Sequence, residues 1–416
     1  MVYDVIIVGA GAAGLFAAAN MPESVKCLVL ENGNSPGRKL LIAGNGQCNI
    51  THSGEIRDFL SHYGFHGKSI RSILYAFNNR AVIQFFRQRG VPLAERADGK
   101  VFPQTLRGED ILDALIRSIN DKNVSFAYNA PVTSIVPIEI PSDALPNSIG
   151  YSVTAGGVRH LTTRVIVAAG GRSFPQTGSD GSIMPVLNAL GQPLVPQLPA
   201  LTPIFTNNYS YGRMSGISLR DVRASIVSQD PSESCYPRKR GDLLLTHRGF
   251  SGPVILELSR YAHQGDFLSI CYLPGMDSSE VCMSIKLAVA GSVKQFSTVM
   301  AALYGTRIPS RFLDALSRRA GIDPSLKAST VPGAAIKRLS VLLTGDTHSI
   351  ASLGGFDTAM VTVGGVALEG VDLKTLQSKL FPGLYFAGEV LDVDGDTGGY
   401  NLQFAFSSGY LTAKQI

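Results

Sequence analysis

Cysteine is scarce and poorly placed for scaffolding. Cys27, Cys48, Cys235, Cys271 and Cys282 are the five in 416 residues, none forms a C-x-x-C pair, and the count is odd. This argues against a disulfide framework and a cysteine-rich zinc site, and it fits a reducing, cytoplasmic compartment. H-E-x-x-H and EF-hand spacings are missing as well, so no metal is expected. No uncharged apolar run reaches the roughly 18 residues of a transmembrane helix, so no membrane partner is expected. The apolar start, Val5 to Ala19, follows Asp4 and no basic residue, unlike a secretory signal. Charge is sparse too. Charged residues make up 17%, and 37 basic against 32 acidic residues leave +5. Spread over this length, that excess does not demand nucleic acid or an anionic membrane. Hydrophobic residues at 45% exclude wholesale disorder. Glycine is the abundant residue, at 44, without a G-x-y period. That excludes collagen and points to close backbone approaches.

The first such approach is at the start. Val2–Val8 is a β-branched run suited to a buried parallel strand. Gly9-Ala10-Gly11-Ala12-Ala13-Gly14 follows, then helix-like Leu15–Asn20, then strand-like Lys26–Leu30 ending at Glu31. Strand, glycine turn, helix, strand and acid in this order form a dinucleotide-binding fingerprint. Gly9 allows the tight turn, Gly11 lets a pyrophosphate approach the backbone, and Gly14 lets the helix pack on the strand. The helix N-terminus offers unpaired N–H groups to phosphates. Glu31 is placed to accept hydrogen bonds from a ribose diol. The fingerprint alone leaves FAD and NAD open.

The rest of the chain favours FAD. From Asn32 to His52 the sequence carries Gly33, Gly37, Gly44 and Gly46 with Arg38 and Lys39, where a plain NAD-binding fold would run into another helix and strand. Cations and exposed amides there suit an extended dinucleotide. Arg164–Gly171 reads as a strand ending in small residues, as a backbone passing a nucleotide requires. Gly383–Glu389 is strand-like and ends in an acid placed to hold a ribityl hydroxyl. Gly398-Gly399 open a helical stretch through Ala413, whose N-terminus suits the pyrimidine edge of a flavin.

Together these segments resemble a family of NAD(P)/FAD-dependent oxidoreductases that includes aminoacetone-oxidase-like and bile-acid 3-dehydro-4,6-reductase-like proteins. The matching stretches are GAGAAG at 9–14, GRKLLIAGNGQCNITH at 37–52, GKVFPQT at 99–105, LTHRGFSGPVILELSRY at 245–261, VTVGGV at 361–366 and GLYFAGEVLDVDGDTGGYNLQFAFSSG at 383–409. The resemblance implies one noncovalent FAD in extended form. It implies the diphosphate near Gly9, Gly11, Ala12, Ala13 and Gly14, and the adenosine ribose on Glu31 and Asn32. Val132 meets the adenine through its backbone. Ala169, Gly170 and Gly171 pass the nucleotide, and Gly388 and Glu389 hold the ribityl chain. Arg38, Lys39, Asn45, Gly46 and Cys48 line the flavin side, with Gly399, Asn401, Leu402 and Gln403 at the isoalloxazine. Two departures stand out: Gln47 where the family pattern has Arg, and His52 where Asn is common.

The implied architecture is α/β: a discontinuous Rossmann-like FAD-binding domain with an inserted β-barrel-like domain and a small helical insertion. Boundaries are drawn at 1–193 and 346–416 for the FAD-binding domain and 194–345 for the substrate domain, with the helical insert at about 277–325. Helical periodicity covers Ser69–Arg89 and Glu109–Ile119. Pro193–Pro203 (PLVPQLPALTP) reads as a linker.

Candidates for chemistry are Cys48 as nucleophile, His52 as base, Tyr400 as proton donor and His247 as a substrate contact. Each also has a structural reading. No second glycine fingerprint precedes a helix, so NAD(P)H enters only as a transient electron donor that visits the flavin. The expected activity is hydride transfer between FAD and a small organic substrate, by C=C or enone reduction or by amine oxidation. A flavin-dependent RNA-modifying enzyme acting on tRNA, which would need a basic face where Arg238-Lys239-Arg240 is one short loop that also reads as a solvated turn, and a non-catalytic redox sensor stand as alternatives. The oligomeric state is left open.

Overall fold

The computed structural model describes residues 2–140, 148–229 and 236–416, so Cys235 lies outside the described residues. The chain forms two compact units, Met1–Pro199 with Met360–Ile416, and Ala200–Ala359. No helix among the described residues is long and apolar enough to cross a membrane.

The first unit is built on a nine-stranded sheet. Val2–Val8 lies between Cys27–Leu30 and Val158–Val167, parallel to both. Val124–Ala127 extends the sheet beyond Cys27–Leu30, and Leu384–Phe386 extends it beyond Val158–Val167, again in parallel. Val5–Val8, all four residues of Cys27–Leu30 and Val165–Val167 are buried, as expected of strands covered on both faces. Helix Ala12–Asn20 packs on the C-terminal helix, Tyr400–Ala413, so the two ends of the chain share one core. Phe16 anchors that contact, with ring centroids 4.9 Å from Phe406 and 4.5 Å from Phe85.

Local sequence misleads in three places here. Pro193–Pro203 does span the division between the units at 199/200, but as ordered chain: Leu194–Ala200 is a strand that pairs with Val361–Val366 in a two-stranded sheet. Such a ribbon tolerates Pro196 and Pro199, because a strand with one neighbour has positions where the missing N–H faces no partner. The loop from Asn32 to His52 contains a short helix, Arg38–Ile42, entered through Gly37 at φ 69°. The single helix read over 69–89 is two, Arg71–Ala76 and Asn79–Gln88. Asn78 starts the second, its side chain accepting the Ala81 N–H at 3.0 Å.

The second unit is a closed antiparallel barrel. Its order is Ile204–Thr206, Gly249–Ser251, Lys239–Leu245, Ser218–Val227, Phe267–Cys271 and Asp346–Leu353, returning to Ile204–Thr206. Helices Ser278–Val289, Phe296–Tyr304, Ser310–Arg319 and Gly333–Gly345 lie between its last two strands in sequence. The helical stretch therefore runs well past 325. The units divide at 199/200 and 359/360 instead of 193/194 and 345/346. Asp346–Leu353 closes the barrel, and a strand's partners are not written in its own sequence.

Candidate functional site

The glycine turn combines two close backbone approaches with one open position. Gly9 sits at φ +103°, and a Cβ there would lie 2.5 Å from the Ala168 carbonyl oxygen. A Cβ on Gly14 would lie 2.0 Å from the Gly9 oxygen, so helix and turn touch backbone to backbone. Gly11 is different: a Cβ there meets nothing within 4 Å. Its lack of a side chain serves no internal contact and leaves open space in front of the first helical turn. The amides of Ala12, Ala13 and Gly14 have no intrahelical acceptor in that turn, so an anion is favoured there.

Glu31 ends its strand buried, with Oε2 accepting the Ala10 N–H and Oε1 the Gly33 N–H, both at 2.7 Å. This pins the carboxylate beside the glycine turn and leaves lone pairs for a diol. The Asn129 N–H donates to the Gly33 carbonyl and the Ala130 N–H to the Glu31 carbonyl, both at 2.9 Å. Val132 begins the strand Val132–Ile140 two residues after Ala130. The Asn32 side chain reaches Asp180 at 3.3 Å, and Arg38 donates to the Gln176 carbonyl at 2.6 Å.

Lys39 joins the two ends of the chain. Its Nζ donates to Glu389 Oε2 and to Ser173 Oγ, each at 2.6 Å. Glu389 Oε1 accepts from the Thr362 N–H at 2.8 Å and from Ser173 Oγ at 3.0 Å. The Thr362 hydroxyl accepts the Arg172 and Ser173 amides. Gly171 fits beneath this group, since a Cβ there would lie 2.4 Å from Thr362 Oγ1. Gly170, at φ +76°, and Ala169 follow the strand Val158–Val167, whose neighbour Val8 accepts the Ala168 amide at 2.8 Å. Gly388, at φ +73°, passes so close that a Cβ would lie 2.7 Å from that of Ala13. Ser173 and Thr362 were not singled out from sequence. Their contacts span 134 to 216 residues, and only VTVGGV hinted at the second.

The remaining candidates surround the start of helix Tyr400–Ala413. Gly399 turns at φ +95° against the Thr51 backbone, where a Cβ would lie 2.7 Å away. The Asn401 side chain closes the preceding loop, accepting the Gly395 N–H at 2.8 Å and donating to its carbonyl at 2.9 Å. The first-turn amides of Tyr400, Asn401 and Leu402 are the ones with no intrahelical acceptor. Gln403 is turned inward. Its N–H donates to Gly399, its Nε2 to the Phe77 carbonyl and Ser407, and its Oε1 accepts the Thr51 hydroxyl at 2.6 Å. Fully buried and satisfied, Gln403 is an internal tie.

The glycine loop is strained: Gly44, Asn45, Gly46 and Cys48 all have positive φ. The Cys48 setting is the reverse of the exposed, electropositive one that a thiolate nucleophile needs. The side chain is 0% exposed within the apolar core, and burial pushes the thiol up to about 12. His52 is held at both nitrogens: Nδ1 accepts the Gly54 N–H at 3.1 Å, so Nε2–H donates to the Asp98 carbonyl at 2.9 Å. Tyr400 is buried between two imidazoles, stacked on His62 at 4.1 Å and on His52 at 5.7 Å. His247 lies exposed in the turn between two barrel strands of the Ala200–Ala359 unit. Gln47 accepts from Arg96 Nη2 at 2.6 Å, so a cation returns to the loop from another segment.

Sequence reading missed His62 and His66. His62 Nδ1 lies 3.1 Å from Asp396 Oδ2, and His66 Nε2 lies 3.4 Å from Asp392 Oδ2. Tyr63 between them donates to the Tyr400 carbonyl at 2.8 Å. His62 and His66 thus face Asp396 and Asp392, each pair four residues apart. The His62 contact spans 334 residues, beyond any local motif. No group of three or more His, Cys, Asp or Glu side chains among the described residues is arranged to hold a metal.

Residues 3–415 match the family described as HI0933-like protein Rossmann domain. The chain is 29% identical over 421 residues to a ribosomal RNA dihydrouridine synthase of Escherichia coli (strain K12), covering 100% of this chain and 98% of that protein. It is 28% identical to a 3-dehydro-bile acid delta(4,6)-reductase of Clostridium scindens, covering 98% and 97%. Among solved structures, 3-ketosteroid delta1-dehydrogenase from Sterolibacterium denitrificans, in complex with 1,4-androstadiene-3,17-dione, superposes with a TM-score of 0.50 at 13% identity, over 100% of this chain and 99% of that one. The chain belongs to the HI0933-like Rossmann-domain family, a family of FAD-dependent oxidoreductases.

Proposed function

We propose that this member of the family binds FAD and reduces a carbon–carbon double bond conjugated to a carbonyl. One observation carries the reading: two relatives that match end to end are named for reactions at that same kind of bond. Dihydrouridine is uridine with its C=C, conjugated to a ring carbonyl, saturated. A delta(4,6) 3-dehydro steroid carries its double bonds in conjugation with the 3-ketone. The amine-oxidation direction has no counterpart in either name.

The site supports the cofactor. The diphosphate would lie against Gly11 and the amides of Ala12, Ala13 and Gly14, the adenosine ribose on Glu31, and the ribityl chain along Gly388 and the Lys39–Glu389 pair. Asn401 and Leu402 would offer backbone N–H groups to the pyrimidine edge of the flavin ring. When bound and reduced, FAD would supply hydride for the β-carbon of such a conjugated system, with NAD(P)H as the proposed electron source. The α-carbon then needs a proton, and we assign its delivery to His62. Asp396 holds Nδ1, which leaves Nε2 to pick up and release the proton, and stacking on Tyr400 fixes the ring plane.

The test is anaerobic mixing of the yellow protein with NADH or NADPH, followed by a 4-en-3-one steroid or a uridine-containing RNA. Bleaching by a nicotinamide and recovery of the oxidised spectrum with either acceptor is the expected result. Recovery with RNA alone makes uracil the substrate, and recovery with the steroid alone makes it a lipophilic enone. Bleaching only by amines, or by no donor, overturns the reading.

A further inference from the structure

The charge of this chain is not spread evenly. Residues 1–199 with 360–416 hold 20 Lys and Arg against 20 Asp and Glu, so that unit is neutral. The helical stretch 278–345 holds nine Lys and Arg against three Asp and Glu, or +6, more than the +5 of the whole chain.

Four of these cations lie on segments that also expose aliphatic side chains. On helix Ser278–Val289, Met283 and Leu287 point outward one turn apart, and Leu287 is 70% exposed. The Gly333–Gly345 helix packs beside it, with the Lys286 Cε 3.9 Å from where a Cβ on Gly333 would lie. That second helix turns Lys337 and Val341 to solvent. At the end of the first helix, the loop bearing Val293 and Lys294 is fastened to the loop bearing Leu326 and Lys327. The Phe296 N–H donates to the Leu326 carbonyl at 2.8 Å and the Ala328 N–H to the Lys294 carbonyl at 2.9 Å. Val293 is 79% exposed. Lys286, Lys294, Lys327 and Lys337 are all exposed.

Isolated surface aliphatics need no explanation, but several on neighbouring segments among exposed lysines do. The chemistry selects the partner. A nucleic-acid face would stack bases on aromatic rings and grip phosphates with Arg. Here Phe296, Tyr304 and Phe312 are all buried. Arg311 and Arg338 donate to the carbonyls of Arg213 and Ala320, each at 2.9 Å. Aliphatic tips between flexible lysines match a bilayer interface, where the tips enter the acyl boundary and the ammonium groups stay with anionic headgroups.

We propose that the face formed by the Ser278–Val289 and Gly333–Gly345 helices docks the protein reversibly on an anionic lipid surface. The surface is independent of the assigned reaction. The test uses full-length, FAD-loaded protein sedimented with vesicles of phosphatidylcholine alone or mixed with phosphatidylglycerol. Binding is expected only to the mixed vesicles and to weaken with salt. The Lys286→Gln/Lys337→Gln pair should lower vesicle partitioning about 25-fold. Leu287→Ser/Val293→Ser, which leaves the charge unchanged, should lower it by at least about tenfold. All four side chains are exposed, so flavin content and melting temperature should not move. Equal binding to both vesicle types, or no response to the aliphatic pair, overturns the proposal. So does RNA binding that the lysine pair weakens while vesicle binding is absent, which would make the face a nucleic-acid surface.

Discussion

Gly11 and Gly14 stand three residues apart in one motif and have opposite physical reasons for being glycine. Gly14 is needed by the fold, because an added methyl meets the Gly9 carbonyl at 2.0 Å. Gly14→Ala should therefore destabilise the apoprotein by about 1–3 kcal/mol. Gly11 has φ −82° and an empty surrounding. Gly11→Val should change apoprotein stability by less than about 0.5 kcal/mol and still weaken FAD binding by roughly 100-fold, equivalent to ~2.7 kcal/mol. Denaturant melts of the apoproteins, paired with FAD titrations, check both. A stable Gly14→Ala or a tight-binding Gly11→Val would show the roles misassigned. The close packing at Gly14 was legible because the fingerprint is local. The histidines were not, because each carboxylate partner lies more than 300 residues away. His66 carries a pH signature of its own. Its hydrogen bond with Asp392 raises its pKa, burial opposes this, and the charges of Asp392 and Asp394 add to the rise. A raised folded pKa gives stability that is complete below the unfolded value and is lost as pH rises through the folded value. Unfolding free energy measured from about pH 5 to 9 should fall on the alkaline side, and His66→Gln should flatten that fall.

Elements show where pattern stops being enough. The helical periodicities and short β runs were visible, but the closing strand of the barrel was not. Asp346–Leu353 was placed in the FAD-binding domain because nothing in DTHSIASL names its neighbours. Its first residue shows why it belongs to the barrel. Asp346 is 0% exposed and accepts from Arg319 Nη1 at 2.5 Å and from the Tyr211 and Tyr272 hydroxyls at 2.8 Å each, with His348 Nε2 lying 2.9 Å away. Arg319 ends a helix of the insert, so this one carboxylate fastens insert to barrel. Burial pushes its pKa up, but the hydrogen bond and charge of His348, the charge of Arg319 and the Tyr211 hydroxyl outweigh that and hold it below the usual value. A depressed folded pKa means stabilisation present above the unfolded value and lost as pH falls through the folded one. Asp346→Asn leaves the Arg319 cation without its anion and should cost about 3–5 kcal/mol. Calorimetry should show this loss near neutral pH and a shrinking difference from the parent in acid. A difference that persists at low pH would mean the network acts through shape and not through charge.

At the scale of the molecule, the FAD-binding unit is split by 160 residues that belong to the other unit. The sequence carried this plan in outline, since glycine-rich segments at both ends had to meet one cofactor. It did not carry the seam, because the strand at the seam contains two prolines and reads as a linker. The seam joins Leu194–Ala200 to Val361–Val366, so the chain leaves and re-enters the unit on neighbouring strands. The contacts that hold the halves together lie entirely within that unit: the Lys39–Glu389 pair, the Thr362 cradle of Ser173, and the Phe16–Phe406 contact. Replacing residues 200–359 by a short Gly/Ser linker costs none of them, and closing a short loop between adjacent ends is entropically cheap. The shortened protein should therefore fold and bind FAD with a yellow spectrum, and it should lose all affinity for anionic vesicles, since the +6 helical stretch is gone. Chain termination after Ala359 should do the reverse to the cofactor. It removes Glu389 and the Tyr400–Ala413 helix, strips the cover from Ala13 and Ala17, and leaves Gly11 with a diphosphate cradle but no flavin end. Spectra of the two purified proteins decide the matter: a colourless linker variant beside a yellow truncation would mean that the C-terminal segment does not complete the site.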